Sequence, residues 1–271
     1  MNSDLITKTF QSEAGKLIYH KLNGRNNDVV ILYIHGLAPI SPIFGEMFTE
    51  QYYGYSLNEY SWTIPHLIGY GESEKPEKLE VYTMENQGRY LYELLLVEKI
   101  REVIIMAHSM GGPVAISLID KIQNQSEGKI RVKGLFYLEG NLDKNDTFLS
   151  SKIAQYPFEE FKKNFAERVA DLIKKFSLDY SNNGPYSIWG SAYDLVEIPE
   201  EQLLPRLQKL IDFPVFFVFG EKNKGRFTSE ELVKSQNLPV IYIPNTGHSM
   251  FFENPQEFWK VIKELLKSCI Y

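Results

Sequence analysis

Five short and almost entirely apolar segments recur along this chain, and longer segments with helical spacing separate them. Their residues are 29–34, 103–107, 134–138, 215–219 and 240–243. Strands that are buried on both faces have this composition, because neither face meets water. Alternation of such strands with helices is typical of α/β proteins. We therefore expect an α/β fold, in which a mostly parallel central sheet is flanked by helices.

Weaker patterns extend this sheet and define its helices. Residues 61–65 have the composition of a further strand, and residues 7–10 and 16–21 have the pattern of an opening hairpin. Helices are predicted for residues 84–98, 111–122 and 255–267. The last helix has Asn254 as its expected N-cap and Pro255 at its first position, where proline is favoured.

Residues 141–212 interrupt the alternation of strands and helices. They contain helical patches at 157–175 and 200–210 and a turn-like stretch at 181–185. We expect them to form a helical cap inserted into a core made of residues 1–140 and 213–271. The cap is rich in aromatic residues, some of which would line a substrate pocket: Phe148, Tyr156, Phe158, Phe161, Phe165, Tyr186, Trp189 and Tyr193.

Charge and cysteine content limit the binding partners and the cellular compartment that we expect for this protein. The net charge of −6 argues against nucleic acid, whose binding depends on clustered Lys and Arg. Cys269 is the single cysteine of the sequence, so an internal disulfide and a thiolate metal site are excluded. The sequence has neither a secretory signal pattern nor an apolar run of about 20 residues. We expect a cytoplasmic protein with no membrane span.

A serine lies where a strand passes through a tight turn into a helix. The strand at 103–107 is followed by H-S-M-G-G at 108–112, and the helix starts there. Such a turn forces strained backbone angles on Ser109, and its neighbours two residues away must be small. Ala107 and Gly111 meet this condition. The hydroxyl needs a base and oxyanion donors before it can act as a nucleophile.

The segment A-H-S-M-G-G at 107–112, the H-G at 35–36 and the G-H at 247–248 resemble the α/β-hydrolase superfamily, in particular its serine esterases. The resemblance implies that the backbone N–H groups of Leu37 and Met110 form the oxyanion hole. It gives His35 a structural role in the loop. One departure stands out: in P-H-L-I-G-Y-G-E-S at 65–73, His66 takes the place where the superfamily usually has Asp.

The base is expected to be His248, because the superfamily's order of serine, acid and histidine requires a late histidine. His248 is the one histidine of the sequence that follows His108. His108 lies beside the nucleophile and is expected to shape the pocket. His20 and His66 have no partner motif.

The acid does not stand at its usual place. The superfamily often has Gly-x-x-Asp after the strand at 215–219, whereas this chain has G-E-K-N at 220–223, and Asn223 cannot supply a negative charge. Glu139, at the end of the preceding strand, is the preferred acid. In this layout the chain resembles some haloalkane dehalogenases. Glu221 and Asp143 are the alternative acids.

These residues predict an enzyme that cleaves a carboxylic ester. Dehalogenase activity is not expected, because those enzymes attack with Asp and Ser109 cannot form their ester intermediate. We expect a carboxylesterase or lipase that acts on a small or medium acyl ester through an acyl-enzyme. An α/β-hydrolase that cleaves a C–C or amide bond is an alternative, as is a slow or non-catalytic ligand-binding regulator. No cofactor and no metal are implied.

Overall fold

The computed structural model describes residues 5–37, 59–125, 130–176, 182–198 and 202–270, and in these residues eight strands form one sheet. The strands are β1 (Ile6–Ser12), β2 (Gly15–Leu22), β3 (Asn26–Ile34), β4 (Tyr60–Pro65), β5 (Glu102–His108), β6 (Arg131–Leu138), β7 (Val215–Gly220) and β8 (Val240–Ile243). Their order in the sheet is β1-β2-β4-β3-β5-β6-β7-β8. β1 and β2 pair antiparallel, as do β2 and β4, and the other neighbours are parallel.

The helices of the described residues are numbered in chain order. They are α1 (Met84–Val97), α2 (Gly111–Asn124), α3 (Phe148–Ala154), α4 (Phe158–Lys163), α5 (Phe165–Phe176), α6 (Pro185–Val196), α7 (Leu203–Leu210), α8 (Thr228–Ser235), α9 (Met250–Glu253) and α10 (Pro255–Ile270). The 3-10 turn Leu79–Tyr82 precedes α1, Lys144–Asp146 precedes α3, and Glu221–Asn223 precedes α8. No helix of the described residues is long and apolar enough to cross a membrane.

Two hydrophobic cores cover the two faces of the sheet. Along β5 the side chains alternate, so Ile105 points into the core shared with α1 and α2, whereas Ile104 points into the core shared with α10. Trp62 and Trp259 meet edge to face in the second core, with ring centroids 5.9 Å apart. Burial on both faces explains why the parallel strands are apolar throughout rather than alternating.

The structure confirms the predicted α/β fold, including the weak strand at 61–65 and the opening hairpin. The predicted helical patch at 157–175 is two helices instead of one, because Asn164 leaves the helical conformation with φ −104° and ψ 19°. Asn competes for backbone hydrogen bonds and is a weak helix former. α8 had no sequence prediction, and of the patch at 200–210, residues 200 and 201 lie outside the described residues.

The segment between β6 and β7 contacts the rest of the chain at both of its ends. Near its start, Asp146 accepts hydrogen bonds from the backbone N–H groups of Thr228 and Ser229, both at 2.7 Å, and so caps α8. Near its end, α7 packs on α2, and Arg206 Nη2 lies 2.7 Å from Asp120 Oδ2. Hydrogen bonds, an ion pair and helix packing therefore hold both ends of the segment that contains α3 to α7, just after β6 and just before β7.

Candidate active site

Ser109 occupies a strained turn between β5 and α2. Its φ is 55°, in the left-handed region that non-glycine residues rarely adopt. Its N–H donates to Leu138 O at 3.0 Å, and its carbonyl accepts from Gly112 N at 2.9 Å. A Cβ at Gly111 would lie 2.4 Å from Ile34 O, so the helix can approach the sheet here only with glycine at this position. The predicted geometry of the serine turn is present.

The loop after β3 lies directly against this serine. A Cβ at Gly36 would come within 3.0 Å of Ser109 Cβ. Leu37 follows in the same loop and is buried, and Met110 is the residue before the first turn of α2. Within the described residues, neither Leu37 N nor Met110 N donates a hydrogen bond to another protein atom. Two backbone N–H groups beside the serine are thus available in the described structure.

His248 lies in the connection between β8 and α9, and the carboxylates of Glu253 and Glu221 help to hold this loop. Glu253 accepts hydrogen bonds from Gly247 N at 2.9 Å and Ser249 N at 3.3 Å. Partial burial raises the pKa of the Glu253 carboxyl, but these bonds and Lys222 lower it overall. Glu221 Oε2 accepts from Asn245 N at 2.9 Å. The imidazole is 45% exposed, so it is accessible from solvent.

Glu139 follows β6 and reaches His248. It also has a left-handed backbone, with φ 41°, and its N–H donates to Val218 O at 2.9 Å. Its carboxylate is fully buried. Oε1 accepts from Gly220 N at 2.7 Å, and Oε2 lies 2.7 Å from His248 Nδ1. Because a carboxylate accepts, the proton of the imidazole belongs on Nδ1, which leaves Nε2 free to accept one.

Asn223 completes the surroundings of this carboxylate. Its Nδ2 lies 3.1 Å from Glu139 Oε1 and 3.0 Å from Oε2. The sequence showed Asn223 only as a missing acid, and its role as a donor to Glu139 was not predicted. An amide at the usual place of the acid, together with a carboxylate one strand away, was the signal that could have indicated the pair.

His108 connects the serine turn to the histidine loop. Its Nε2 lies 2.9 Å from the carbonyl oxygen of His248, and the two rings are 4.6 Å apart. Burial, together with the neighbouring His248, lowers the pKa of His108 to about 3, so the ring is neutral and donates through Nε2. Among the described residues, Ser109 Oγ has no hydrogen bond, to His248 or to any other group. Such bonds are often long before substrate binds.

The alternative acids lie elsewhere. Glu221 is exposed and holds Asn245, as described above. Asp143 is buried, and its Oδ1 accepts from Asn145 N at 2.7 Å and from Thr228 Oγ1 at 2.9 Å. Neither carboxylate contacts His248 in the part of the chain that the structure describes. Of the three predicted acids, the structure brings only Glu139 to the histidine.

His35 and His66 directly follow β3 and β4, and each accepts a hydrogen bond from a backbone N–H group. His35 is buried, its Nδ1 lies 2.6 Å from Gly36 O, and its Nε2 accepts from Leu67 N at 3.1 Å. His66 Nδ1 accepts from Glu72 N at 3.0 Å. This contact gives a physical reason for histidine where the superfamily usually has Asp. The uncharged ring nitrogen of His66 serves as a hydrogen-bond acceptor within its own turn.

An aromatic pair stands beside His248. The Phe227 ring is 6.2 Å from the His248 ring with an interplanar angle of 29°, and Phe148 meets Phe227 at 5.7 Å. Phe148 is 53% exposed. Of the other aromatic residues predicted for the cap, Phe161 and Trp189 are buried. Among the described residues, no cluster of His, Cys, Asp or Glu could hold a metal ion.

Known proteins resemble this chain over most of its length. The model of a family described as the alpha/beta hydrolase family matches residues 31–261. Lipase 1 of Psychrobacter immobilis is 32% identical over 120 residues, which are 44% of this chain and 36% of that lipase. A Mycoplasma genitalium protein, provisionally named esterase/lipase 3, is 24% identical over 259 residues, 87% of this chain and 86% of its own length.

The similarity extends to solved structures. A crystal structure of an N-acyl homoserine lactonase complexed with N-butanoyl homoserine superposes with a TM-score of 0.72 at 15% identity, and 98% of each chain is covered. At this identity the likeness concerns the fold alone.

Proposed function

This chain belongs to the alpha/beta hydrolase family, and from that premise we propose that it is a serine hydrolase of the carboxylesterase or lipase type. Ser109 is the proposed nucleophile, His248 the base and Glu139 the acid. The substrate would be an ester with a small or medium, mainly apolar acyl group. The names of the Psychrobacter and Mycoplasma relatives support ester cleavage.

The observation that carries this proposal is the contact between His248 Nδ1 and Glu139 Oε2 at 2.7 Å. It fixes the tautomer of the imidazole and leaves Nε2 as a proton acceptor. A buried carboxylate in this position stabilises the imidazolium that forms when the serine is deprotonated. Ser109 lies at the turn beside His108, whose ring centroid is 4.6 Å from that of His248, so this ring contact links the serine turn to the proposed base.

The proposed reaction has two halves. In the first, His248 Nε2 takes the proton of Ser109 as its Oγ attacks the ester carbonyl, and then gives that proton to the leaving alcohol. In the second, His248 deprotonates a water that cleaves the acyl-enzyme, which releases the acid and restores the serine. The negative oxygen of each tetrahedral intermediate would accept from Leu37 N–H and Met110 N–H. Donors of this kind typically lower a barrier by about 3–4 kcal/mol.

We also propose that residues 141–212 form a cap over Ser109, inserted in a core of residues 1–140 and 213–271. Two contacts support this division. The Asp146 bonds to Thr228 and Ser229 fasten the start of the segment, and Tyr70, which is near Met110, donates a hydrogen bond to Ser187 O of α6 at 3.3 Å. α7 packs against α2 of the core, so the part that covers the site would be α3 to α6. A cytoplasmic location remains a prediction from the single cysteine.

The direct test is hydrolysis of p-nitrophenyl acetate and butyrate by purified protein and three variants. Ser109→Ala is expected to abolish activity, and Glu139→Gln to lower kcat by several orders of magnitude, because a neutral amide no longer stabilises the imidazolium. Glu221→Gln is the matched control and should stay within a few-fold of the unmodified protein. If Glu221→Gln loses activity and Glu139→Gln keeps it, the acid is Glu221 and not Glu139.

Labelling with a fluorophosphonate distinguishes the remaining possibilities. A label on Ser109 without ester turnover would favour the alternative of C–C or amide cleavage. Neither label nor turnover would overturn the proposal in favour of a ligand-binding protein.

A further inference from the structure

The amide of the partly exposed Asn223 contacts the buried carboxylate of Glu139. The carboxylate has no exposed surface, and among the described residues its donors are Gly220 N, Asn223 Nδ2 and His248 Nδ1. Asn223 is the one of these three that touches both oxygens, at 3.1 Å and 3.0 Å. Its amide therefore constrains the rotation of the carboxylate about its last bond.

Only one orientation of the Asn223 amide is compatible with this contact. An amide oxygen facing two carboxylate oxygens would be repelled, so the NH₂ group faces Glu139. If the carboxylate rotated away from Asn223, Oε2 would also lose its contact with His248 Nδ1. The Asn223 side chain thus couples the orientation of the Glu139 carboxylate to that of the His248 imidazole.

The backbone that carries Asn223 is fastened to the loop that carries His248. The 3-10 turn Glu221–Asn223 donates from Lys222 N to Thr246 O at 2.8 Å, and Glu221 Oε2 accepts from Asn245 N at 2.9 Å. These two hydrogen bonds link the turn that carries Asn223 to the loop that carries His248.

We propose that Asn223 is a positioning residue, which holds the Glu139 carboxylate toward His248, and that the acid and the amide of this pair can exchange places. This inference rests on the proposed hydrolase function. The exchange is expected because Asn223 Nδ2 is 3.0 Å from Glu139 Oε2, which is itself 2.7 Å from His248 Nδ1. The double substitution of Glu139→Gln with Asn223→Asp keeps one amide and one carboxylate in contact, with their places reversed.

Kinetics of p-nitrophenyl acetate hydrolysis tests the positioning role. Asn223→Ala should lower kcat by about 10- to 100-fold with little change of KM, the factor implied by one lost hydrogen bond to a charged group. Lys224→Ala, an exposed neighbour of the same turn, is the control and should match the unmodified protein. The double variant should be at least tenfold more active than Glu139→Gln alone, which a merely structural asparagine would not produce.

A second measurement does not depend on any activity. Proton NMR follows the titration of the His248 imidazole, assigned with a His248→Gln variant. Glu139→Gln removes the negative charge beside the imidazole and should lower the midpoint, and the double variant, which again has one carboxylate, should raise it back by about one pH unit. Glu139→Gln with Asn223→Ala has no carboxylate at either place and controls for altered packing.

The outcomes separate the two proposals. A midpoint that the double variant restores, without ester hydrolysis by the unmodified protein, would keep the exchange of acid and amide and reject the esterase function. Ester hydrolysis that is unchanged in Asn223→Ala would overturn the positioning role alone. A double variant no more active than Glu139→Gln would overturn the exchange.

Discussion

Ser109 and Glu139 share a backbone feature that is rare outside glycine. Both have positive φ, 55° and 41°, and each directly follows a parallel strand, β5 or β6. Residues in such conformations cost about 1–3 kcal/mol and persist where the surrounding structure imposes them. Strands next to each other in the sheet thus end in two strained residues, and the proposed nucleophile and acid project from the same edge.

The serine turn depends on the absence of a side chain at Gly111. We predict that Gly111→Ala destabilises the protein by about 1–3 kcal/mol, because its Cβ would lie 2.4 Å from Ile34 O and 2.9 Å from His35 O, both backbone atoms. Urea unfolding measures the loss. Gly184→Ala is the matched control, since no atom lies within 4 Å of its added Cβ, and it should change stability by no more than about 0.5 kcal/mol.

Part of the candidate site could be predicted from the residue types in local motifs. Ser109 and His248 follow from local motifs, because the turn and the chain order constrain them. Glu139 was selected because no acid stands at Asn223 and because the layout resembles that of some haloalkane dehalogenases. Its contact with His248 joins the loops after β6 and β8, which are distant in sequence and separated in the sheet by β7. The contacts of Phe227 and Asn223 could not be predicted, since they come from the packing of loops that lack periodic patterns.

At the scale of elements, Asp146 joins the start of the segment between β6 and β7 to α8. We predict that Asp146→Ala destabilises the protein by about 2 kcal/mol, because the N–H groups of Thr228 and Ser229 both lose their acceptor at the first turn of a helix. Urea unfolding tests this, with the exposed Asp212→Ala as control. Equal stability of the two variants would show that α8 needs no cap from this segment.

Aromatic residues at the starts of α8 and α3 lie beside the proposed base. Phe227 precedes α8, Phe148 begins α3, and their rings meet beside His248. Since the base must protonate the leaving alcohol, that alcohol has to lie next to the imidazole. Phe227→Ala removes apolar surface that the chain of a long alcohol would contact. We predict that it lowers kcat/KM for hexyl acetate about tenfold more than for ethyl acetate, because a hexyl group has more CH₂ groups to bury and each contributes about 0.8 kcal/mol.

The matched control is Ile6→Ala, which removes an exposed apolar side chain from β1, at the opposite edge of the sheet. It should leave the ratio of the two acetate esters unchanged. A Phe227→Ala variant with the ratio of the unmodified protein would place the alcohol away from this pair.

For the whole molecule, the fold was the most predictable feature. Strands buried on both faces have a composition that few other structures share, and the two cores on either side of the sheet account for it. The segment between β6 and β7 was less predictable. Three of its five described helices, α3, α4 and α7, have eight residues or fewer, and the helix break at Asn164 falls inside a patch that the sequence shows as continuous. Helices this short depend on tertiary contacts for their stability.

Global stability should depend on pH through two buried histidines. Burial, with the charges of neighbouring cationic groups, lowers the pKa of His66 to about 3, and burial with the nearby His248 does the same for His108. In the unfolded chain both would titrate near the ordinary value of about 6.5. Between these values the unfolded chain binds more protons, so stability is complete above about pH 6.5 and is lost as the pH falls toward 3.

We therefore predict that the free energy of unfolding falls by about 2 kcal/mol between pH 6.5 and 5.5, about 1 kcal/mol for each histidine. Few carboxylates titrate in this window, so the histidines dominate it. In His66→Asn the amide oxygen can still accept from Glu72 N–H, but the proton-binding group is gone, so the fall should halve to about 1 kcal/mol. Urea unfolding at both pH values, with pH 7.5 as the reference, measures this difference. An unchanged fall in His66→Asn would mean that protonation of His66 does not drive acid unfolding.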